Sequence, residues 1–137
     1  MTKKTLLLLA LVALMVAMAS AVATATQDHA KSNLEPKNDS DIHGKVHLRQ
    51  LSPEGTRILV QARGLKPGKR YISLYYDNDH CALEPYSEED VIGTYTANLG
   101  GNAHTSGVAD DDLDEIHSVS VRSADTFKLL ACATVDN

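Results

Sequence analysis

The amino-acid sequence predicts an all-β protein: an antiparallel Greek-key β-sandwich or flattened barrel of about seven to eight strands. Apolar and polar residues alternate with a period of two over several short segments, which is typical of strands with one buried and one solvated face. Turn-forming residues separate these segments at intervals of roughly 8–15 residues. No segment has the periodicity of an amphipathic helix. Many short strands with such turns indicate two packed sheet layers around one core.

The first predicted strand covers residues 42–49, and the second covers residues 57–62. A Ser-Pro-Glu-Gly turn at residues 52–55 lies between them, so we expect an antiparallel hairpin. The polar face of the first strand carries two histidines, a lysine and an arginine. Histidines four residues apart on a strand are about 13 Å apart and cannot chelate one ion. We therefore expect a solvated face, formed by His43, Lys45, His47 and Arg49.

The remaining predicted strands follow the same alternating pattern. They cover residues 71–76, 91–97, 104–109, 116–122 and 127–134. A loop rich in Asp, Glu and Pro at residues 77–90 and an acidic loop at residues 109–114 interrupt them. Ile72, Leu74 and Tyr76 share one face of the third strand, and we expect Tyr71 and Tyr76 to pack in the core.

The N-terminus predicts an exported protein. Two lysines precede an apolar run at residues 6–19, and Ala-x-Ala cleavage signals follow. This order indicates a secretory signal peptide over residues 1–23, with a short transmembrane anchor as the alternative. Residues 24–40 are polar and are interpreted as a flexible leader with no packing role. The folded domain is then predicted over residues 41–137, and its expected location is periplasmic or secreted.

The chain is acidic, with a net charge of −5 at pH 7 when histidine is neutral. The predicted signal peptide contains two lysines and no acid, so the mature chain would carry −7. No continuous block of Lys and Arg occurs in the sequence, and phosphate backbones require clustered cations. We therefore expect no nucleic-acid partner, and no membrane association after signal cleavage.

Two cysteines, Cys81 and Cys132, are present in the chain. Export and an even number of cysteines favour one disulfide, with two free thiols as the alternative. The bond would close a loop of about 50 residues and stabilise the fold by roughly 4 kcal/mol in the chain-entropy model.

Five short motifs resemble the copper/zinc superoxide dismutase-like fold family in order and spacing, across about residues 42–135. They are Gly-Leu-Lys-Pro-Gly at 64–68, Asp-Asn-Asp-His-Cys at 77–81, Asn-Leu-Gly-Gly-Asn at 98–102, Gly-Val-Ala-Asp at 107–110 and Leu-Leu-Ala-Cys-Ala at 129–133. The resemblance implies the family's single internal disulfide, between Cys81 and Cys132. Residues 65–71 also resemble a fibronectin type III turn, in which a tyrosine hydroxyl ties down a corner, so that sandwich family is the alternative.

The resemblance also implies copper and zinc ligands that the sequence does not supply. The family's His-x-His pair falls on Ser73 and Tyr75, and its copper histidine on the penultimate strand aligns near Arg122. Its superoxide-steering arginine aligns with Leu129, and nine residues without histidine replace its zinc loop. Because redox copper needs several converging imidazoles, we predict that the metal site is lost and expect no cofactor.

Two kinds of function remain open. The leading hypothesis is an exported, non-catalytic binding or structural module with a superoxide dismutase-like fold and an unidentified protein or small-molecule partner. The alternative is a divergent copper-dependent superoxide dismutase, or a periplasmic copper- or zinc-binding protein, with His80, His104 and His117 as ligands. The acidic loops could offer oxygen ligands to calcium, although they lack EF-hand spacing and are otherwise expected to be solvated. No catalytic residue is assigned.

Overall fold

The structure is a computed structural model that describes residues 27–137, and the predicted signal peptide lies outside these residues. It has eight β-strands and two short 3-10 turns. The strands are β1 (His29–Pro36), β2 (His43–Gln50), β3 (Thr56–Arg63), β4 (Arg70–Tyr76), β5 (Val91–Thr96), β6 (Ala103–Ala109), β7 (Ser118–Ser123) and β8 (Leu129–Thr134). The predicted all-β fold class is confirmed. Between residues 27 and 137, no helix has the length and hydrophobicity needed to span a membrane.

The eight strands form one antiparallel sheet in the order β5-β4-β7-β8-β1-β2-β3-β6. β2 and β3 form the predicted hairpin. β3 pairs with β6 and β4 pairs with β7, so the chain crosses between the two halves of the sheet as in a Greek key. β1 joins the halves, because most of it pairs with β2 while Glu35 and Pro36 pair with β8.

The two end strands, β5 and β6, nearly close the sheet into a flattened barrel. A Cβ atom on Gly107 would lie only 2.5 Å from the carbonyl oxygen of Ile92, and one on Gly93 would clash with Thr105. Real Cβ atoms do not approach a backbone oxygen this closely, so the contact between the two strands depends on glycine at both positions.

The main core lies between the two halves of the sheet and follows the predicted alternation. In β2, Val46 and Leu48 are buried, as is Ile42 just before the strand. Val60 of β3 and Val121 of β7 are fully buried in the same cluster. This alternation leaves the other parity of β2 and β3 facing solvent.

A second, smaller cluster covers the outer face of β4. Leu74 and Tyr76 share that face, as predicted, and pack with Cys81 and Cys132 in a cluster separate from the main core. The loop at residues 77–90 supplies part of this cover, and its Tyr86 ring stacks on Phe127 at a centroid distance of 5.4 Å. The loop is therefore packed onto the sheet and is not simply a solvated connection.

The disulfide between Cys81 and Cys132 is confirmed. The two Cα atoms are 6.1 Å apart and the residues are separated by 51 positions in sequence. The bond ties the beginning of the 77–90 loop to β8, within the second cluster.

Residues 24–40 were predicted to be a flexible leader without a packing role, and this interpretation is wrong for His29–Pro36, which form β1. Leu34 of this strand is 2% exposed and belongs to the main core. β1 supplies backbone hydrogen-bonding partners to both β2 and β8, which would otherwise be left as open edges. The folded domain therefore begins before residue 41.

A tyrosine corner holds the turn between β3 and β4. The Lys66 backbone N–H donates to the Tyr71 hydroxyl at 2.9 Å, and the Tyr71 ring is buried in the core. Tyr76 is also buried, as predicted. The corner arises in the segment that resembles the fibronectin turn, because Pro and Gly direct the chain back over the tyrosine ring.

Candidate functional site

One outer face of the sheet collects many of the cationic side chains of the chain. Strands β1, β2, β3 and β6 are neighbours, and alternate residues in each point away from the core. We define the basic face by these residues: His29, Lys31, His43, Lys45, His47, Arg49, Arg57, Arg63 and His104. All are exposed except His47, which is half-buried. The face thus holds five of the 13 Lys and Arg residues and four of the six histidines, although the chain is acidic.

The antiparallel register orders the outward side chains in rows that run across the strands. The first row contains His29, Arg49, Arg57 and Val108. The second row contains Lys31, His47, Leu59 and Ser106, and the third row contains Asn33, Lys45, Gln61 and His104. Paired Cα atoms are about 4.5–5.5 Å apart, and successive rows are separated by about 6.7 Å. The cationic groups can therefore contact one extended ligand together.

Acidic side chains are scarce at this surface. Among the outward positions of the four strands, Glu35 at the end of β1 is the one acid, and Asp28 borders the face just before β1. The Asp28 carboxylate lies 2.7 Å from Nδ1 of His29. Hydrogen bonding to His29 and its charge lower the pKa of Asp28. The centre of the face is left with unpaired positive charge that can attract an anion.

A shallow depression of about 460 Å³ lies at one end of the basic face. His29, Lys31, Arg49 and Arg57 line it together with the apolar side chain of Leu59. Because Arg49 and Arg57 are paired on neighbouring strands, their planar guanidinium groups can together bind a carboxylate or another planar oxyanion. This arrangement can bind anions.

The positions where the resemblance would place the His-x-His ligands do not fit copper. The Ser73 hydroxyl is buried and lies 2.7 Å from the Tyr95 hydroxyl, with which it shares a hydrogen bond. Burial raises the pKa of Tyr95 to about 12 and also raises the pKa of Tyr75. These hydroxyl groups stay protonated at neutral pH, and copper in such sites is held by imidazoles.

Arg122, near the position of the family's remaining copper histidine, also does not fit a metal. Its guanidinium is buried and donates to the carbonyl oxygens of Cys81 and Phe127 at 2.7 Å each, and to the Tyr76 hydroxyl at 2.9 Å. A guanidinium has no lone pair to offer and repels a cation. The Arg122 guanidinium instead holds the 77–90 loop to the sheet through these hydrogen bonds.

The structure does not bring together the three histidines of the alternative metal-site hypothesis. His80 is exposed in the 77–90 loop and lies beside Asp79, His104 is on the basic face, and His117 precedes β7. These histidines do not occur in any group of three potential ligands within 4.8 Å of one another among residues 27–137. Within residues 27–137, the three histidines therefore do not form one ligand group.

The one ligand group that does converge in this part of the chain is acidic and consists of Asp112, Asp114 and Glu115. Its oxygens already take part in the fold. Asp112 accepts from Gln50 Nε2 at 2.7 Å and from the Gly55 N–H at 2.8 Å, while Glu115 accepts from the Asp112 N–H at 2.9 Å. Hydrogen bonding from Gln50, followed by that from Gly55, lowers the pKa of Asp112. The group joins the acidic loop to the β2–β3 turn.

A second depression, of about 220 Å³, lies beside the 77–90 loop, and its lining is acidic whereas that of the first depression is basic. Tyr75, Tyr86, Asp90 and Asp111 contribute to its lining. Burial, with the nearby charges of Glu115 and Asp90, raises the pKa of Asp111. This acidic region repels anions, whereas the basic face attracts them.

Comparison with protein families and curated proteins does not assign the chain to a family. A scan against protein-family models found no match, and a search of curated proteins found none either. The site is therefore interpreted from its own geometry and chemistry.

Sequence reasoning found the part of the basic face that lies on β2, because the alternation there is regular. The exposure of His43, Lys45 and Arg49 confirms that prediction. It missed the contributions of Lys31 and Arg57. The outward parity of Arg57 was readable within its predicted strand, whereas Lys31 lies on β1, which was not predicted, and only the sheet order places both residues beside β2.

Proposed function

We propose that the protein is an exported, non-catalytic binding module with a superoxide dismutase-like fold, and that its basic face binds an anionic partner. The observation that carries the proposal is the concentration of cations on one open sheet face of an acidic chain. Random placement on a chain of this charge would mix the cations with acids, whereas the outward positions of the four strands include one acid.

The fold-family part of the proposal rests on the eight-stranded antiparallel barrel and on the Cys81–Cys132 pairing, which agree with the motifs described above. Loss of the metal site is supported by the hydrogen bond between Ser73 and Tyr95 and by the Arg122 guanidinium, since neither arrangement can ligate copper. Export is supported by the signal-like N-terminus and by the disulfide, because disulfides persist in oxidising compartments.

Binding through this face would be driven mainly by charge. Exposed ionic contacts are individually weak, at about 0.2–1 kcal/mol each, so useful affinity requires several contacts made at once. The basic face provides this, because a ligand that lies along β2 and crosses onto β3 can reach Lys45, Arg49 and Arg57 together. Such binding accelerates association and weakens as salt increases.

The test is a calorimetric titration of the purified protein with inorganic polyphosphate, a probe that carries charge and little else. One variant reverses three charges on the basic face, and a matched control reverses three exposed lysines elsewhere. The face variant is Lys45→Glu, Arg49→Glu and Arg57→Glu, and the control is Lys37→Glu, Lys66→Glu and Lys128→Glu. Both variants have the same net charge, so the comparison isolates position.

We expect the face variant to bind polyphosphate about 30-fold more weakly than the parent, or worse, at physiological salt. The control should change by less than about threefold, because none of its three lysines belongs to the basic face. Equal losses in the two variants would mean that net charge, and not the basic face, controls binding. Absence of binding by the parent would overturn the proposal itself.

A further inference from the structure

The basic face has no aromatic platform. The chain contains five tyrosines, one phenylalanine and no tryptophan. None of these rings belongs to β1, β2, β3 or β6. Proteins that bind single-stranded nucleic acids stack the bases on aromatic rings, and a broad four-stranded sheet face does not enter a duplex groove as a helix or a two-stranded ribbon does.

The face also lacks the features that other polyanions would use. Insertion into a membrane surface needs an apolar side that enters the lipid, whereas the apolar residues at the outward positions are the half-buried Leu59 and, at the β6 edge, Val108. An acidic peptide that adds as a strand needs an open sheet edge. β1, β2 and β3 each have neighbours on both sides, and β6, at the end of the sheet, lies in close contact with β5.

The third row of outward side chains on the basic face is the feature that indicates a sugar ligand. It alternates amides with basic side chains across four adjacent strands, in the order Asn33, Lys45, Gln61 and His104. An amide side chain both donates and accepts hydrogen bonds, which suits the hydroxyl groups of a sugar. Lys45 in this row, and Lys31 and Arg63 in the rows on either side of it, suit its carboxylates. The spacing of neighbouring strands, about 4.8 Å, is similar to the length of one pyranose ring.

We infer that the anionic partner is a linear, carboxylated polysaccharide that lies across β1, β2, β3 and β6, with its carboxylates on the basic side chains and its hydroxyls on Asn33 and Gln61. This inference rests on the proposed function, since it names the ligand class of the same face. The amide groups supply selectivity for a sugar, while the cations supply most of the affinity.

The test uses oligogalacturonate long enough to cross four strands as the probe. Polyglutamate and a thymidine oligonucleotide, each matched to it in total charge, serve as competing ligand classes. The diagnostic variant is Asn33→Ala with Gln61→Ala, which alters no charge. Its matched control is Thr94→Ala with Thr96→Ala, two exposed positions on β5. Urea unfolding midpoints verify that both variants keep the parent fold.

We expect the parent to bind oligogalacturonate more tightly than either competitor. The amide variant should lose about tenfold in oligogalacturonate affinity, as for two neutral hydrogen bonds, and should keep its affinity for polyphosphate. The β5 control should keep both. Equal affinity for polyglutamate or for the oligonucleotide, or an unchanged oligogalacturonate affinity in the amide variant, would overturn the polysaccharide assignment. The polyphosphate titration tests the proposed function separately, so the two failures can be told apart.

Discussion

Replacement of Arg122 by methionine tests whether the buried guanidinium holds the 77–90 loop to the sheet. The side chain is 7% exposed and reaches three acceptors: the carbonyl oxygens of Cys81 and Phe127 and the hydroxyl of Tyr76. Methionine is unbranched and fills a similar space, so the substitution removes the donors and the charge with little change in packing.

The expected cost follows from the acceptors that are left behind. The Tyr76 hydroxyl keeps its hydrogen bond with Ser120 at 2.8 Å, whereas the two carbonyl oxygens lose the guanidinium donors. Each acceptor stranded in a buried position costs about 1–3 kcal/mol, and release of the desolvated charge offsets part of this total. We therefore expect the free energy of unfolding to fall by about 3 kcal/mol, a large share of the 5–15 kcal/mol typical of a domain.

The assay is equilibrium unfolding in urea with the disulfide intact, monitored by tyrosine fluorescence and circular dichroism. Arg70→Met is the matched control, because Arg70 is an exposed arginine on β4, and it should change the free energy by less than about 0.5 kcal/mol. If Arg122→Met were as stable as this control, the guanidinium would not be what fixes the loop.

Two further substitutions test the tyrosine corner at Tyr71 and the close contact between β5 and β6. Tyr71→Phe removes the acceptor of the Lys66 N–H, and we expect a loss of about 1 kcal/mol in the free energy of unfolding by urea denaturation; an unchanged stability would show that water replaces the hydroxyl fully. Gly107→Ala forces a Cβ against the Ile92 carbonyl oxygen, and we expect about 1–3 kcal/mol of destabilisation in the same assay. The neighbouring exposed control Ser106→Ala should stay within about 0.5 kcal/mol of the parent. A Gly107→Ala variant as stable as that control would mean that β5 and β6 do not need their close contact.

Most of the strands could be predicted from the sequence because turn-forming residues bound them and because the inward residues of strands such as β2 and β3 are apolar. The predicted strand at 57–62 is Thr56–Arg63, and that at 104–109 is Ala103–Ala109. β1 was missed because its inward positions are Ala30, Ser32 and Leu34, which give too weak an alternation to distinguish a strand from a polar leader. Its pairing with β2 and β8 supplies the stability that its own sequence pattern does not indicate.

The candidate site was harder to predict because it depends on contacts between distant segments. Lys31, Lys45 and Arg57 lie far apart in the sequence and become neighbours through the sheet order. The sequence therefore contains no continuous run of Lys and Arg, although the fold brings basic residues together on one face. Arg122 carries no local signal either, since a terminal charged residue on a predicted strand normally faces solvent, and only the folded 77–90 loop buries it.

The most direct test of the central claim is a map of backbone amide chemical shifts during titration of the isotope-labelled protein with oligogalacturonate. We predict that the shifted amides concentrate in β1, β2, β3 and β6, and that the shifts vanish in the variant with Lys45→Glu, Arg49→Glu and Arg57→Glu. Shifts concentrated in the 77–90 loop, or spread evenly over the protein, would contradict binding at the basic face.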